Sequence, residues 1–165
     1  MYDRNDTYTP HAAQVAFQNS IADPDGGKLQ RIESQFFGVM ADNLPFGLAM
    51  FDGAMRMIMC NRAYREMYRL DDDEARSGTS VEEIASARRR VGTGPKREQA
   101  GDFIREREQI PVCGELRASD IELHDGRICS IVRQALPGGG WVSLHHDVTE
   151  QREGERKVDF LAASF

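Results

Sequence analysis

The last third of the chain limits the fold more than any other part. Leu116 to Leu123, Arg127 to Leu136 and Trp141 to Val148 are of strand length, and Asp125-Gly126 and Pro137-Gly138-Gly139-Gly140 stand between them. Asp-Gly between alternating runs is a hairpin signal, because the turn needs a positive φ that glycine takes at no steric cost. Strands joined by connections this short are antiparallel neighbours, since a parallel pair needs a crossover of about a dozen residues or more. Read as a two-residue turn, Asp125-Gly126 puts Ile121, Leu123, Ile128, Ser130 and Val132 on one, inward face.

The earlier elements fit around such a sheet. Met1 to Gly27 mixes polar residues with the breaker cluster Asp23-Pro24-Asp25-Gly26-Gly27 and reads as a flexible arm. From Lys28 to Leu44, Leu29, Ile32, Phe36, Val39 and Asn43 recur at helical spacing, with Met40 widening the stripe. Pro45 ends this helix, because the residue before a proline is pushed out of helical backbone space. Phe46–Phe51 and Met55–Cys60, separated by Asp52-Gly53-Ala54, predict a hairpin. Asn61 is placed to cap a short helix over Arg62–Tyr68. The acids Asp71-Asp72-Asp73-Glu74 lack the glycine and spacing of a calcium loop and read as charge at a helix N-terminus. Thr79 or Ser80, followed by Glu82 and Glu83, starts a helix through Val91, and Gly92-Thr93-Gly94-Pro95 breaks it. A further helix over Arg97–Gln109 turns Ala100, Phe103 and Ile104 to one face and stops before Pro111. Two strands early, three late and short helices between them, without βα repeats, predict an α+β fold: a five-stranded antiparallel sheet with short helices on one face.

Charge and motifs narrow the function. With 21 basic and 27 acidic residues the net charge is -6, against nucleic acid or an anionic membrane surface as the main partner. No apolar run approaches the ~20 residues of a membrane span and no signal-peptide core opens the chain, so a cytoplasmic segment is expected. Cys60, Cys113 and Cys129 are odd in number and far apart, which predicts neither a disulfide nor a zinc site. His145 and His146 project to opposite faces of a strand and cannot grip one metal as neighbouring ligands, so no metal site is read here. There is no nucleophile elbow, P-loop or HExxH helix, and the chain is read as non-enzymatic.

The layout, and four stretches in order, resemble the PAS sensor domain. They are Asn43-Leu44-Pro45-Phe46-Gly47-Leu48-Ala49-Met50-Phe51-Asp52, then Cys60-Asn61-Arg62-Ala63-Tyr64, Leu123-His124-Asp125-Gly126-Arg127, and Gly139-Gly140-Trp141-Val142 running to His146-Asp147-Val148-Thr149-Glu150. The resemblance covers about Lys28 to Arg152. It implies a PAS core over residues 45–149, flanked by the arm at 1–27, the amphipathic helix at 28–44 and a signalling or linker helix at 150–165.

The resemblance also implies a role. PAS domains often hold a small molecule between sheet and helices, and similarity to flavin-binding relatives puts His145 inward, with Trp141 and Ser143 on the same face. Trp141, Ser143, His145, Ile121 and Ile104 are therefore the candidate ligand pocket, with His145 and Ser143 first for polar contacts. The cofactor is unknown. Flavin photochemistry is disfavoured, since the central helices lack the family's cysteine segment, and haem is disfavoured, since His11, His124, His145 and His146 lie outside the long central helix. Asp147 and Thr149 match the family's strand-to-helix signature and are the candidate residues for signal transmission. The Leu29, Ile32, Phe36 and Val39 seam implies a homodimer. Lys157-Val158-Asp159-Phe160-Leu161-Ala162 resembles the approach to an effector domain in cis, a histidine kinase or a diguanylate cyclase or phosphodiesterase. The competing expectation is a ligand-free structural dimerisation module.

Overall fold

The computed structural model describes residues 26–96 and 116–163, with side chains from residue 33 onward in the first helix. The helix read over Arg97–Gln109, with Ile104, lies outside the described residues, as do Cys113 and the arm up to residue 25. The chain divides into two units, Met1–Met40 and Ala41–Phe165. Helix α1 (Gly26–Asp42) carries the amphipathic stretch, on which Phe36, Val39 and Met40 are exposed.

In the second unit β1 (Gly47–Phe51) and β2 (Met57–Cys60) form the first hairpin. Two short helices follow, α2 (Arg62–Tyr68) and α3 (Val81–Arg90), then β3 (Leu116–Glu122), β4 (Ile128–Ala135), β5 (Trp141–Asp147) and the exit helix α4 (Thr149–Ala163). The strands form one sheet in the order β2-β1-β5-β4-β3, every pair antiparallel. This is the α+β architecture that the strand spacing predicts. Among the described residues no helix is long and apolar enough to cross a membrane.

Capping chemistry sets the short helices. Asn61 caps α2 by accepting from the Tyr64 N–H at 3.0 Å. Ser80 and Glu83 form a reciprocal capping box at the start of α3, satisfying two N–H groups that the first turn leaves without helical partners. The acids at 71–74 depart from the sequence reading, because no regular helix follows them. Asp71 and Glu74 instead exchange side-chain bonds with each other's backbone N–H at 2.8 and 3.1 Å, closing a turn, and Glu74 pairs with Arg90.

One face of the sheet packs against α2 and α3. Ala49, Phe51 and Met57 from the first hairpin meet Tyr64, Tyr68 and Ile84 there. Gly47 permits the close approach of α2, since a Cβ at that position would stand 3.1 Å from the Tyr64 Cα.

The face of β4 is a correction. The turn after β3 is not a two-residue loop: the Leu123 N–H donates to the Arg127 carbonyl at 2.8 Å and the Gly126 N–H to the Leu123 carbonyl at 3.0 Å. Gly126 has φ +89°, so this is a type I turn closed by a left-handed glycine, with His124-Asp125-Gly126 as the loop. The extra residue pairs Ile121 with Cys129 and Ser119 with Ile131. A one-residue slip turns every side chain of a strand over. Cys129, Ile131 and Arg133 therefore face the helices, while Ser130 and Val132 share the opposite face with Asp120 and Leu144, and Ile128 turns with them.

Candidate functional site

The central strand β5 alternates as its sequence implies, with Trp141, Ser143 and His145 buried on the helix side. Trp141 stacks on Phe51 of β1, ring centroids 4.7 Å apart. His145 is only 4% exposed and lies edge-on to Tyr64 and Tyr68. Its Nδ1 is 2.7 Å from the Tyr68 hydroxyl and its Nε2 is 2.9 Å from Ser143 Oγ.

The direction of these bonds follows from the far end. Ser143 Oγ donates to the Ala49 carbonyl at 3.3 Å, an acceptor with no proton of its own. Ser143 must then accept from His145, which fixes the proton on Nε2 and leaves Nδ1 to accept from Tyr68. Tyr68, its proton directed at His145, accepts in turn from the Cys129 thiol at 3.3 Å. A one-way chain thus runs Cys129, Tyr68, His145, Ser143, Ala49, from β4 through α2 to β5 and β1. Both imidazole nitrogens are used within the protein.

Electrostatics agree with a neutral imidazole. Burial, and then the positive charges of Arg88 and Arg133, hold the His145 pKa well below its ordinary 6.5. The Arg88 guanidinium lies 3.7 Å from the centre of the Tyr68 ring, a cation–π contact from α3. Burial likewise pushes the Tyr68 hydroxyl well above its usual range, against the lowering effect of Arg88.

A pH dependence follows. The unfolded chain takes up a proton on His145 near its ordinary pKa of about 6.5, and the folded chain does so only in more acidic solution. The unfolded state therefore binds more protons below about pH 6.5. This contribution to stability is complete above that pH and declines below it, by at most ~1.4 kcal/mol per pH unit. Urea unfolding at pH 5.5 and 7.5 should show the decline, and His145→Asn should remove that part of it. An unchanged slope in the variant would place the titration elsewhere.

The junction of β5 with α4 is the second constellation. Thr149 Oγ1 donates to Asp147 Oδ1 and accepts from the Ile128 N–H at 2.9 Å, while the Thr149 N–H also reaches Asp147 Oδ1 at 3.1 Å. The Val148 N–H donates to the Ile128 carbonyl at 2.9 Å, so the first turn of α4 is bonded to the first residue of β4. Arg127 joins three parts of the fold at this corner. Its Nε donates to Asp125 at 2.9 Å, its Nη2 donates to the Met67 carbonyl of α2 at 2.6 Å, and its Nη1 stands 3.7 Å from Asp147 Oδ2. On the other face of the sheet, Arg152 of α4 pairs with Asp120 of β3 at 2.7 Å.

The structure brings Trp141, Ser143, His145 and Ile121 to the helix side of the sheet, with Ile121 partly buried, and sets Asp147 and Thr149 at its end. Ile104 lies outside the described residues, and nothing is described of the side chains of Leu29 and Ile32. Sequence reasoning missed Tyr68, Arg88, Arg127 and Arg133. Tyr68 was legible, since it follows Tyr64 by four residues and shares its helix face. Arg133 was hidden by the turn, which sets the parity of β4.

The comparisons agree with this geometry. A family model described as PAS fold matches residues 41–156. The PAS domain of BvgS from Bordetella pertussis is 22% identical, with a TM-score of 0.53 over 81% of this chain and 98% of that one. An RNA-binding Light-Oxygen-Voltage receptor is 13% identical, with a TM-score of 0.57 over 79% of this chain and 37% of that one. A comparison with curated proteins gave no match. Five antiparallel strands in the order above, short helices on one face and a family match over residues 41–156 lead to one conclusion: the chain belongs to the PAS fold family, whose members are sensory and regulatory modules of signalling proteins and generally not catalysts.

Proposed function

We propose that this domain is a sensory module that takes a small molecule between its sheet and helices and passes a conformational signal through α4 to an effector domain in cis. The observation that carries the reading is the junction: Thr149 bridges the Ile128 N–H and Asp147, while Arg127 ties the same corner to the Met67 carbonyl. A displacement of α2 or of the β3–β4 hairpin is thereby felt at the start of α4. The effector is a histidine kinase or a diguanylate cyclase or phosphodiesterase, and the working form is a cytoplasmic homodimer. Exposed Phe36 and Val39 on α1 support the seam with Leu29 and Ile32, and exposed Val158 and Leu161, three residues apart on α4, suit a paired exit helix.

The hydrogen-bond chain through His145 favours a second reading, a filled core that dimerises without a ligand. The two separate in one set of measurements. Native mass spectrometry of the purified domain should show a bound small molecule, and in the full-length protein Asp147→Ala and Thr149→Ala should uncouple effector output while the domain stays folded. A ligand-free domain across several preparations, together with unchanged regulation in both variants, overturns the sensory reading.

A further inference from the structure

Helix α4 has two partly buried residues, Thr149 and Arg152, and every other described residue along it is exposed. With no apolar face set into the sheet, its direction rests on polar links. Thr149 holds the first residue of the helix to Asp147 and to the Ile128 N–H. A rod tethered at one end can swing, so a second foothold decides where α4 points.

Arg152, three residues along, supplies that foothold. Its Nε and Nη2 both donate to Asp120 Oδ2, at 2.8 and 2.7 Å, and its Nη1 donates to Glu155 Oε2 at 2.8 Å. Gln151 donates to the other Glu155 oxygen at 3.1 Å. The guanidinium is thus oriented from within the helix, and a preoriented fork gives up less freedom when it pairs with the sheet. Glu122, two residues along the same face of β3, is engaged by Lys96 at 2.7 Å, which leaves Asp120 as the partner of α4.

The strand that carries Asp120 gives the pair its leverage. Among the described strands β3 ends the sheet and pairs with β4 alone, and an element held on one side yields before the central ones do. The tether at Thr149 lies on β4 and β5, whereas the second foothold lies on β3. A shift of β3 along β4 therefore turns α4 about Thr149. Arg152 and Asp120 are 38% and 37% exposed, and an ion pair this exposed biases an equilibrium by about fivefold or less. That favours one direction of the helix without locking it.

We propose that Arg152 and Asp120 are the positioning residues that set the direction in which α4 leaves the domain, and that the signal reaching α4 is a displacement of β3 relative to the Thr149 pivot. The second part rests on the sensory reading above; the first does not.

Residual dipolar couplings of the 165-residue chain measure the angle of α4 against β4 and β5. Arg152→Gln and Asp120→Asn should each change or average the couplings of residues 153–163, while those of Val148 and Thr149 stay as they are. Asp120→Arg combined with Arg152→Glu exchanges the charges and should restore the original angle, an outcome that mere surface destabilisation would not give. Wild-type chain in 1 M salt, where the screening length is ~3 Å, should move toward the single variants. In the full-length protein each single variant should shift effector output by up to about fivefold, and the exchanged pair should return it. Unchanged α4 couplings in both single variants, or an exchanged pair that restores nothing, overturn the positioning role and leave the sensory reading standing. Reoriented α4 with unchanged effector output overturns the signalling role of β3 and counts against the sensory reading with it.

Discussion

Replacing Asn61 by alanine is expected to lower the unfolding free energy by about 3 kcal/mol or more, with loss of cooperative folding near physiological temperature. The side chain is 1% exposed and uses its whole bonding capacity. Its carbonyl oxygen accepts from the Leu48 N–H at 2.8 Å and the Tyr64 N–H at 3.0 Å, and its amide donates to the Ala41 carbonyl at 2.7 Å and the Phe46 carbonyl at 3.0 Å. One residue therefore joins the chain entering β1, β1 itself and the start of α2. An ordinary N-cap is worth ~1 kcal/mol, and the three further bonds are what raise the expected effect. Alanine leaves the Leu48 and Tyr64 N–H groups and the Phe46 carbonyl to find other partners in a site that water hardly reaches, and leaves the Ala41 carbonyl with the Leu44 N–H at 3.2 Å. Asn61→Asp sharpens the test, because it keeps the acceptor, loses both donors and buries a charge. Burial favours its protonated form, so that variant should be more stable at pH 5 than at pH 7. Chemical denaturation gives both results. A loss of less than about 1 kcal/mol for Asn61→Ala would mean that the clamp does not hold these elements together.

The cap of α2 was legible because a cap is a local device: Asn before Arg62-Ala63-Tyr64 is enough to place it. The same side chain's bonds to Ala41, Phe46 and Leu48 span up to twenty residues, and no spacing rule announces them. The inward placement of Trp141, Ser143 and His145 was likewise legible, because a central strand keeps a strict period of two and one motif fixes its phase. For β4 the same period gave the wrong face. The residues Asp125-Gly126 are compatible with a two-residue loop or with a longer one that ends on the glycine, and the choice between them inverts the strand. That inversion removed Ser130 and Val132 from the interior and put Arg133 there, so this buried guanidinium could not be read from the sequence. The acidic run at 71–74 was misread for a related reason. Asp and Glu at helix-start spacing satisfy each other's backbone whether or not a helix follows.

Gly140→Ala is the other substitution expected to have a large effect, about 3 kcal/mol or more, and Gly138→Ala is its control. Both glycines have positive φ, +83° at Gly140 and +86° at Gly138, so both variants carry the cost of a left-handed alanine, roughly 1–2 kcal/mol. Their surroundings differ. A Cβ on Gly138 meets nothing within 4 Å, whereas one on Gly140 would stand 2.1 Å from the Phe51 carbonyl oxygen and 2.8 Å from the Asp52 Cα. Those atoms are backbone and cannot swing aside, so relief must come from parting β1 and β5 at the Phe51–Trp141 pair. This is where the two rings stack, and the same strand carries Ser143, His145 and Asp147 in its next turns of the pleat. Gly140→Ala should therefore disturb the Trp141 fluorescence in the native state and lower the urea midpoint well beyond Gly138→Ala. Equal losses in the two variants would show that only the backbone angle matters and that the β1 end does not press on this turn. A larger loss at Gly140 would show that the glycine run before Trp141 does more than reverse the chain: it sets the contact through which the outer hairpin holds the strand that leads into α4.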